Sequence, residues 1–128
     1  MEIVTSKSIN PNDVYKLINS SNAGSVVFHF AVVRGTTDDK SMNSIEFRAA
    51  KDSNDIKREL HSISDELRKQ FKVDDVLAIR AIGKLNVGDI MALVAVSSPH
   101  REPAFDACRY GVERLREMKS IVKQETFK

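Results

Sequence analysis

Two basic side chains with the chemistry to bind an anion lie where an apolar run meets a helical pattern. His100 and Arg101 follow Ser98-Pro99, at the predicted start of the last helix. The first N–H groups of a helix are unpaired and its N-terminus carries partial positive charge, so this position favours a phosphate or another anion. From spacing alone, a solvated pair neutralised by Glu102 is the more common arrangement.

Further basic residues stand at Arg34 and in the C-terminal stretch. Arg34 ends a predicted strand, which fits either a ligand contact or a surface ion pair with Asp38 or Asp39. The last 31 residues hold 7 Lys or Arg against 5 Asp or Glu, so the whole net charge of +2 falls there. A charge run on a helix is usually a solvated face, and the aromatic residues of this stretch do not alternate with the basic ones in the manner of stacking platforms. We therefore expect no nucleic-acid partner.

The single cysteine and the three histidines favour packing over catalysis. Cys108 falls on the apolar stripe of the last helix and is predicted to pack as a small hydrophobe. His29 lies inside an apolar run, where a core position is the more common role, and His61 is expected to be partly exposed. Scattered histidines beside one cysteine make a poor zinc site. We expect no metal and no permanently bound cofactor.

The periodicity predicts two long helices and one short helix. Ile56, Leu60, Ile63, Leu67 and Phe71 recur at the spacing of one helix face, which predicts a helix over 53–71. A last helix is predicted over 101–118, with the apolar stripe Ala104/Phe105, Cys108, Val112, Leu115 and Met118. Asn10-Pro11 begins the short helix, whose apolar face is Val14, Leu17 and Ile18.

Strands are predicted over 2–5, 25–33, 44–49, 76–82, 90–96 and 121–125, with 25–33 read as buried and 83–89 as a turn-rich link. The neighbouring strands 76–82 and 90–96 favour antiparallel pairing, and no regular βαβ repeat is present. The fold class is therefore predicted to be α+β with an antiparallel or mixed sheet. The 128 residues, 41% of them apolar, predict a single domain over 1–128.

The apolar runs also bear on location. They are far shorter than the roughly 20 residues that span a bilayer. The sequence Met1-Glu2-Ile3-Val4 has no basic segment followed by an apolar stretch, as a secretory signal would have. We expect a cytoplasmic chain with no membrane association.

Several motifs follow one another in an order and spacing that are recognisable. They are Gly24-Ser25-Val26-Val27 leading to Arg34; Ile82-Gly83-Lys84-Leu85-Asn86-Val87-Gly88-Asp89; Val94 to Arg101; Ala104-Phe105-Asp106-Ala107-Cys108-Arg109-Tyr110; and Ile121-Val122-Lys123-Gln124-Glu125. The pattern resembles the MoaE family, the large, catalytic subunits of molybdopterin synthase. The resemblance implies a fold of the α/β-hammerhead type and a homodimer of large subunits. Each large subunit would bind a small ubiquitin-like subunit with a C-terminal Gly-Gly thiocarboxylate, forming a heterotetramer.

The resemblance also implies a reaction. Two sulfurs, each brought by a carrier thiocarboxylate, would be added to cyclic pyranopterin monophosphate, giving the dithiolene of molybdopterin. Substrate binding would fall to Arg34, His100 and Arg101, in a pocket that draws residues from both large subunits. The cyclic phosphate of that substrate suits a helix N-terminus with two basic side chains.

The candidate catalytic residues are Lys123, Arg116 and Lys119. Lys123 matches a family pocket lysine and is a candidate for proton transfer or oxyanion stabilisation. A second family lysine falls on Arg116, and arginine keeps the charge but does not readily lose a proton. Lys119, about one turn further on, is a candidate to reach the same space. The departure at Arg116 leaves a second hypothesis open, a non-catalytic dimeric relative that binds a ubiquitin-like partner or a pterin without turnover.

Overall fold

A computed structural model describes residues 1–19 and 21–128, which fold into strands and helices. In chain order the elements are β1 (Glu2–Thr5), α1 (Pro11–Val14), β2 (Ser25–Val32), β3 (Thr36–Thr37), β4 (Lys40–Ala49), α2 (Ser53–Gln70), β5 (Asp75–Ala81), β6 (Gly83–Asn86), β7 (Ile90–Ser98), α3 (Arg101–Arg116) and β8 (Ile121–Phe127). The two long helices, the short helix and the α+β class are confirmed. Within these residues no helix is both long enough and apolar enough to cross a membrane.

The first sheet has the strand order β1-β5-β7-β2 and is mixed. β1 runs parallel to β5, whereas β7 pairs antiparallel with both β5 and β2, as predicted for the two strands around the 83–89 link. The strand predicted at 25–33 is confirmed as β2, but its predicted burial is wrong, because β2 lies at the sheet edge and no residue of it is fully buried. Its apolar residues alternate between the two cores, while His29 is exposed.

The second sheet is built on β4. β6 and β8 both pair antiparallel with β4, and β3 forms a hairpin with its first residues. Asp38 and Asp39 form the hairpin turn with φ of 51° and 64°, the left-handed conformation of a two-residue turn that suits Asp. The segment predicted as a link contains β6, since Gly83, at φ 93°, turns the chain directly from one sheet into the other.

β5 and β7 are buried on both faces, so alternate residues enter two different cores. Leu77, Ile79, Leu93 and Ala95 face a core shared with α1 and the second sheet. Val76, Ala78, Val94 and Val96 face a core closed by α2 and α3. This two-sided burial explains why both strands read as nearly continuous apolar runs.

The helices follow the predicted pattern with two local differences. The Asp52 side chain accepts from the Asn54 N–H at 2.9 Å and begins α2, whose apolar stripe is buried as predicted. Phe105 of α3 is 57% exposed, since the neighbouring Ala104 and Ala107 face the sheet instead. Leu17 is also exposed, because the chain tightens after α1 into a 3₁₀ turn over Tyr15–Leu17 and the helical period changes.

Gly24 provides a test of the packing before β2. A Cβ at Gly24 would overlap the Pro99 carbonyl oxygen, so Gly24→Ala must displace the backbone beside His100. We expect a loss of about 1–3 kcal/mol in the free energy of unfolding, measured by urea denaturation. Gly35→Ala is the matched control, because its Cβ would meet Val87 at an ordinary 3.8 Å. Equal stability of the two variants would contradict this account.

Candidate functional site

A cleft of about 820 Å³ opens where β2, the C-terminal end of α3 and the face of the second sheet meet. Its lining is His29, Phe30, Ala31, Val32, Arg34, Ile45, Phe47, Arg80, Met91, Ala92, Val112, Leu115, Arg116, Met118, Ile121 and Lys123. The volume is in the range of sites for small molecules. Four of these residues are Arg or Lys, and no Asp or Glu is among the described residues that line the cleft. Such a surface favours an anionic ligand.

Three residues predicted for the site converge on this cleft from different elements. Arg34 follows β2, Arg116 ends α3 and Lys123 lies on β8. In the β4–β8 register Lys123 stands opposite Phe47, and directly opposed residues of an antiparallel pair point to the same face. Strand pairing therefore turns the Lys123 side chain towards the cleft.

The cationic groups of the cleft are weakly neutralised. Lys123 Nζ lies 3.7 Å from a Glu125 carboxylate oxygen, and its side chain is 61% exposed. An exposed pair of this kind contributes little energy, so the ammonium remains available to a ligand. Among the described residues Arg34 forms no ion pair with Asp38 or Asp39, the surface alternative considered from the sequence.

His100 and Arg101 lie at the other end of α3. Both side chains are exposed, and the His100 N–H donates to Ser98 Oγ at 3.4 Å. The 16 residues of α3 separate them from Arg116 by about 24 Å at 1.5 Å per residue. Within one chain, the structure therefore does not bring these two residues to the cleft.

Lys119 does not line the cleft, although the sequence suggested that it reaches the space around Arg116. It lies in the turn between α3 and β8, which is held by Glu59 of α2. The Glu59 carboxylate accepts from the Lys119 N–H at 3.0 Å, from the Ser120 N–H at 3.0 Å and from the Ser120 hydroxyl. This anchor fixes the start of β8, and hence Lys123, relative to the end of α3.

The charge state of Glu59 reflects these contacts. Burial alone would raise the pKa of this carboxyl, but the hydrogen bonds from Ser120 and Lys119 outweigh it and lower the pKa below its usual value. The anchor is therefore ionised at neutral pH.

Two polar residues of the cleft were missed as site residues. His29 was interpreted as a core residue, yet it is exposed and lines the cleft. Arg80 also lines the cleft, with its guanidinium carbon 4.4 Å from the centroid of the Phe47 ring. The sequence feature that could have indicated both residues is a polar side chain within an apolar segment of a strand. His29 is such a residue in β2, and Arg80 is such a residue in β5.

Cys108 has the packing role predicted for it. Its side chain is buried on α3, and Sγ lies 3.7 Å from the Val94 carbonyl oxygen. Burial raises the pKa of this thiol to about 11, so a thiolate nucleophile is not formed at neutral pH. Over the described ranges, 1–19 and 21–128, no three His, Cys, Asp or Glu residues are grouped to hold a metal ion.

The class of protein that this structure defines is an α+β fold with a basic cleft between two sheets, of a size for a small molecule. The family model described as MoaE protein matches residues 4–118, so the chain belongs to the MoaE family. A relative from Nostoc sp., named molybdopterin synthase catalytic subunit, is 33% identical over 123 residues, covering 95% of this chain and 73% of that protein.

Solved structures agree with the family. The crystal structure of molybdopterin synthase from Staphylococcus aureus superposes with a TM-score of 0.89 at 28% identity, covering 98% of this chain and 90% of that one. A structure from Helicobacter pylori, titled a complex of subunits 1 and 2 of molybdopterin-converting factor, superposes with a TM-score of 0.77 over 98% of this chain and 84% of that one. At 13% identity, the latter likeness concerns the fold.

Glu59 provides a pH-dependent test of the anchor. Glu59→Gln should lower the free energy of unfolding by about 2 kcal/mol at pH 7, because the turn loses a charged acceptor. Since folding lowers the pKa of Glu59, its contribution is present above the unfolded value of 4.5 and is lost as the pH falls through the folded value. The difference between wild type and variant, measured by urea denaturation, should therefore shrink towards about pH 3.

The exposed Glu113 on α3 supplies the matched control, Glu113→Gln, which should change the free energy of unfolding by less than about 0.5 kcal/mol at pH 7. A gap between wild type and Glu59→Gln that is equal at both pH values would contradict an ionised anchor.

Proposed function

We propose that this chain is the catalytic large subunit of a molybdopterin synthase. In this proposal it transfers sulfur from the thiocarboxylated C-terminus of a small ubiquitin-like subunit to cyclic pyranopterin monophosphate, forming the molybdopterin dithiolene. The observation that carries the proposal is the convergence of Arg34, Arg116 and Lys123 on one basic cleft. Membership of the MoaE family, whose relatives bear the name of this enzyme, supports it.

Each cleft residue has a role that its chemistry permits. Arg34 presents a planar fork of donors that suits a phosphate or a carboxylate. Lys123 can take part in proton transfer as the acyl group loses sulfur, and a cationic side chain at this position stabilises an oxyanion. Arg116 serves as an electrostatic anchor, because arginine does not readily exchange its proton.

The proposal includes a dimer of large subunits. His100 and Arg101 are held about 24 Å from Arg116 by the length of α3, so they reach a cleft only if a second copy supplies them. Two large and two small subunits would then form a heterotetramer. The Helicobacter pylori structure, titled a complex of two subunits, supports a small-subunit partner. A single domain over 1–128 and a cytoplasmic location complete the proposal.

Lys123 provides the direct test of the catalytic assignment. With a thiocarboxylated small subunit and the pterin precursor, Lys123→Ala should reduce molybdopterin formation about a hundredfold or more, since both the proton and the charge are lost. Lys123→Arg separates these two contributions: if proton transfer is required, it should be as impaired as Lys123→Ala. Molybdopterin would be measured by fluorescence of its oxidised derivative.

Lys119→Ala is the matched comparison, since this lysine lies nearby in sequence but outside the cleft. It should retain most of the wild-type rate. Unchanged turnover in Lys123→Ala would remove Lys123 from the mechanism.

A mixed-dimer experiment tests the shared site. Arg34→Ala and Arg101→Ala should each be inactive as homodimers, because every site lacks one arginine. Co-expression should restore about a quarter of the wild-type rate, since half of the dimers are mixed and each holds one intact site. Tags on the two variants allow the mixed dimer to be purified and its rate measured alone. A mixed dimer as inactive as its parents would contradict a site shared between copies.

A second candidate is a dimeric binding module without turnover, and Arg116 is the observation that favours it. If the family lysine at this position exchanges a proton, arginine cannot replace it. Failure of the wild-type protein to form molybdopterin, with tight binding of the small subunit, would favour this candidate.

A further inference from the structure

Arg80 is a partly buried cation that lacks an anionic partner. It lies near the end of β5, opposite Ala92 of β7, and lines the cleft. Its Nε atom is buried without a hydrogen-bond partner, and among the described residues its guanidinium forms no ion pair. Burial lowers the pKa of Arg80 to about 10, so the group is still charged at neutral pH.

Arg114 shows how this chain treats another partly buried arginine. Its guanidinium lies 3.0 Å from the Glu66 carboxylate, and Tyr110 donates to the same carboxylate. The fold thus supplies Arg114 with a partner and leaves Arg80 without one. A buried charge without an ionic partner destabilises a fold. An arginine kept in this state is therefore typical of a residue whose anionic partner is a bound ligand.

Phe47 packs against the Arg80 guanidinium but accepts none of its N–H hydrogen bonds. The ring lies 4.4 Å from the guanidinium carbon, so it contacts the cation while the N–H donors of a guanidinium lie in its own plane. Those donors require acceptor oxygens, which a planar carboxylate or a tetrahedral phosphate provides in matching geometry.

Depth distinguishes Arg80 from the other cations of the cleft. Arg34, Arg116 and Lys123 are exposed, whereas Arg80 is partly buried. Lys123 has Glu125 beside it, and Arg80 has no acid. An oxyanion that enters the cleft past the three outer cations therefore finds its least satisfied donor at Arg80.

We propose that Arg80 is a substrate-binding residue that receives an oxyanion at the inner part of the cleft. This inference rests on the proposed function, in which the oxyanion is either the phosphate of the pterin substrate or the carboxyl-type terminus of the carrier tail. Both sources share the chemistry of an oxygen anion bound by a guanidinium, and the experiment separates them.

Binding is measured on the full chain without turnover, using inorganic phosphate and a synthetic peptide ending in Gly-Gly with a free carboxylate. The Arg80 Nε–H signal, followed by ¹H–¹⁵N spectroscopy, should shift on titration with at least one of these probes. Arg80→Met keeps the length and removes the charge, and should weaken that binding about tenfold, as measured by calorimetry. Arg80→Lys should lose part of the affinity, because it keeps the charge without the fork.

The control is Arg48→Met, an exposed arginine next to Phe47 in β4 whose side chain points to the opposite face of that strand. It should bind both probes as the wild type does. Thermal melting of each variant identifies any loss of folded protein, in which case Arg80→Lys carries the comparison.

The KM values assign the oxyanion to its source. A raised KM for the pterin with an unchanged KM for the carrier identifies the phosphate, and the reverse identifies the carrier tail. Unchanged binding and KM in Arg80→Met, in an active enzyme, would overturn the inference and leave the proposed function intact. Arg80-dependent binding in a wild-type protein without synthase activity would instead count against the proposed function alone.

Discussion

The antiparallel pairing of β5 with β7 is the constraint on which the rest of the molecule depends. Both strands are buried on two faces, so alternate side chains build two cores from one backbone pair. α2 and α3 close one core, and α1 with the second sheet closes the other. Because both layers are held to the same two strands, the end of α3 and the face of β4 and β8 meet at a fixed junction. The cleft lies at that junction, and its basic residues come from elements that are distant in the sequence.

The electrostatics of the cleft follow from how its cations are partnered. Elsewhere in the chain, carboxylates support the fold: Glu66 binds Arg114, and Glu59 holds the turn before β8. In the cleft, the described lining contains no carboxylate, and Arg80 is left without an acceptor. The anionic ligand that we propose for the cleft would supply the missing negative charge. Cys108 bears on the source of the sulfur. Its thiol is buried and protonated, so in the proposed reaction the sulfur arrives on another molecule.

Much of the fold could be predicted from the sequence because its signals are local. The stripe Ile56 to Leu67 predicted α2, the Asn10 cap marked the start of α1, and the apolar runs located β5 and β7. Motif order predicted the family, and through it Arg34, Arg116 and Lys123 as a group. The errors fall where a local signal is ambiguous. The apolar run of β2 reads the same at an edge as in a sheet centre, and β6 is four residues long within a glycine-rich segment.

The sequence by itself determined most of the elements, the family and the excess of basic residues near the C-terminus. Tertiary structure alone decided which of those residues share a surface. It placed Arg34, Arg116 and Lys123 in one cleft, put His100 and Arg101 at the far end of a rigid helix, and turned Lys119 away to a capped turn. It also brought in Arg80 and His29, which no motif singled out as site residues. The physical reason is that the periodicity of a helix or a strand depends on residues that are close in the sequence. A cleft depends instead on the register of strands such as β4 and β8, whose paired residues are far apart in the chain.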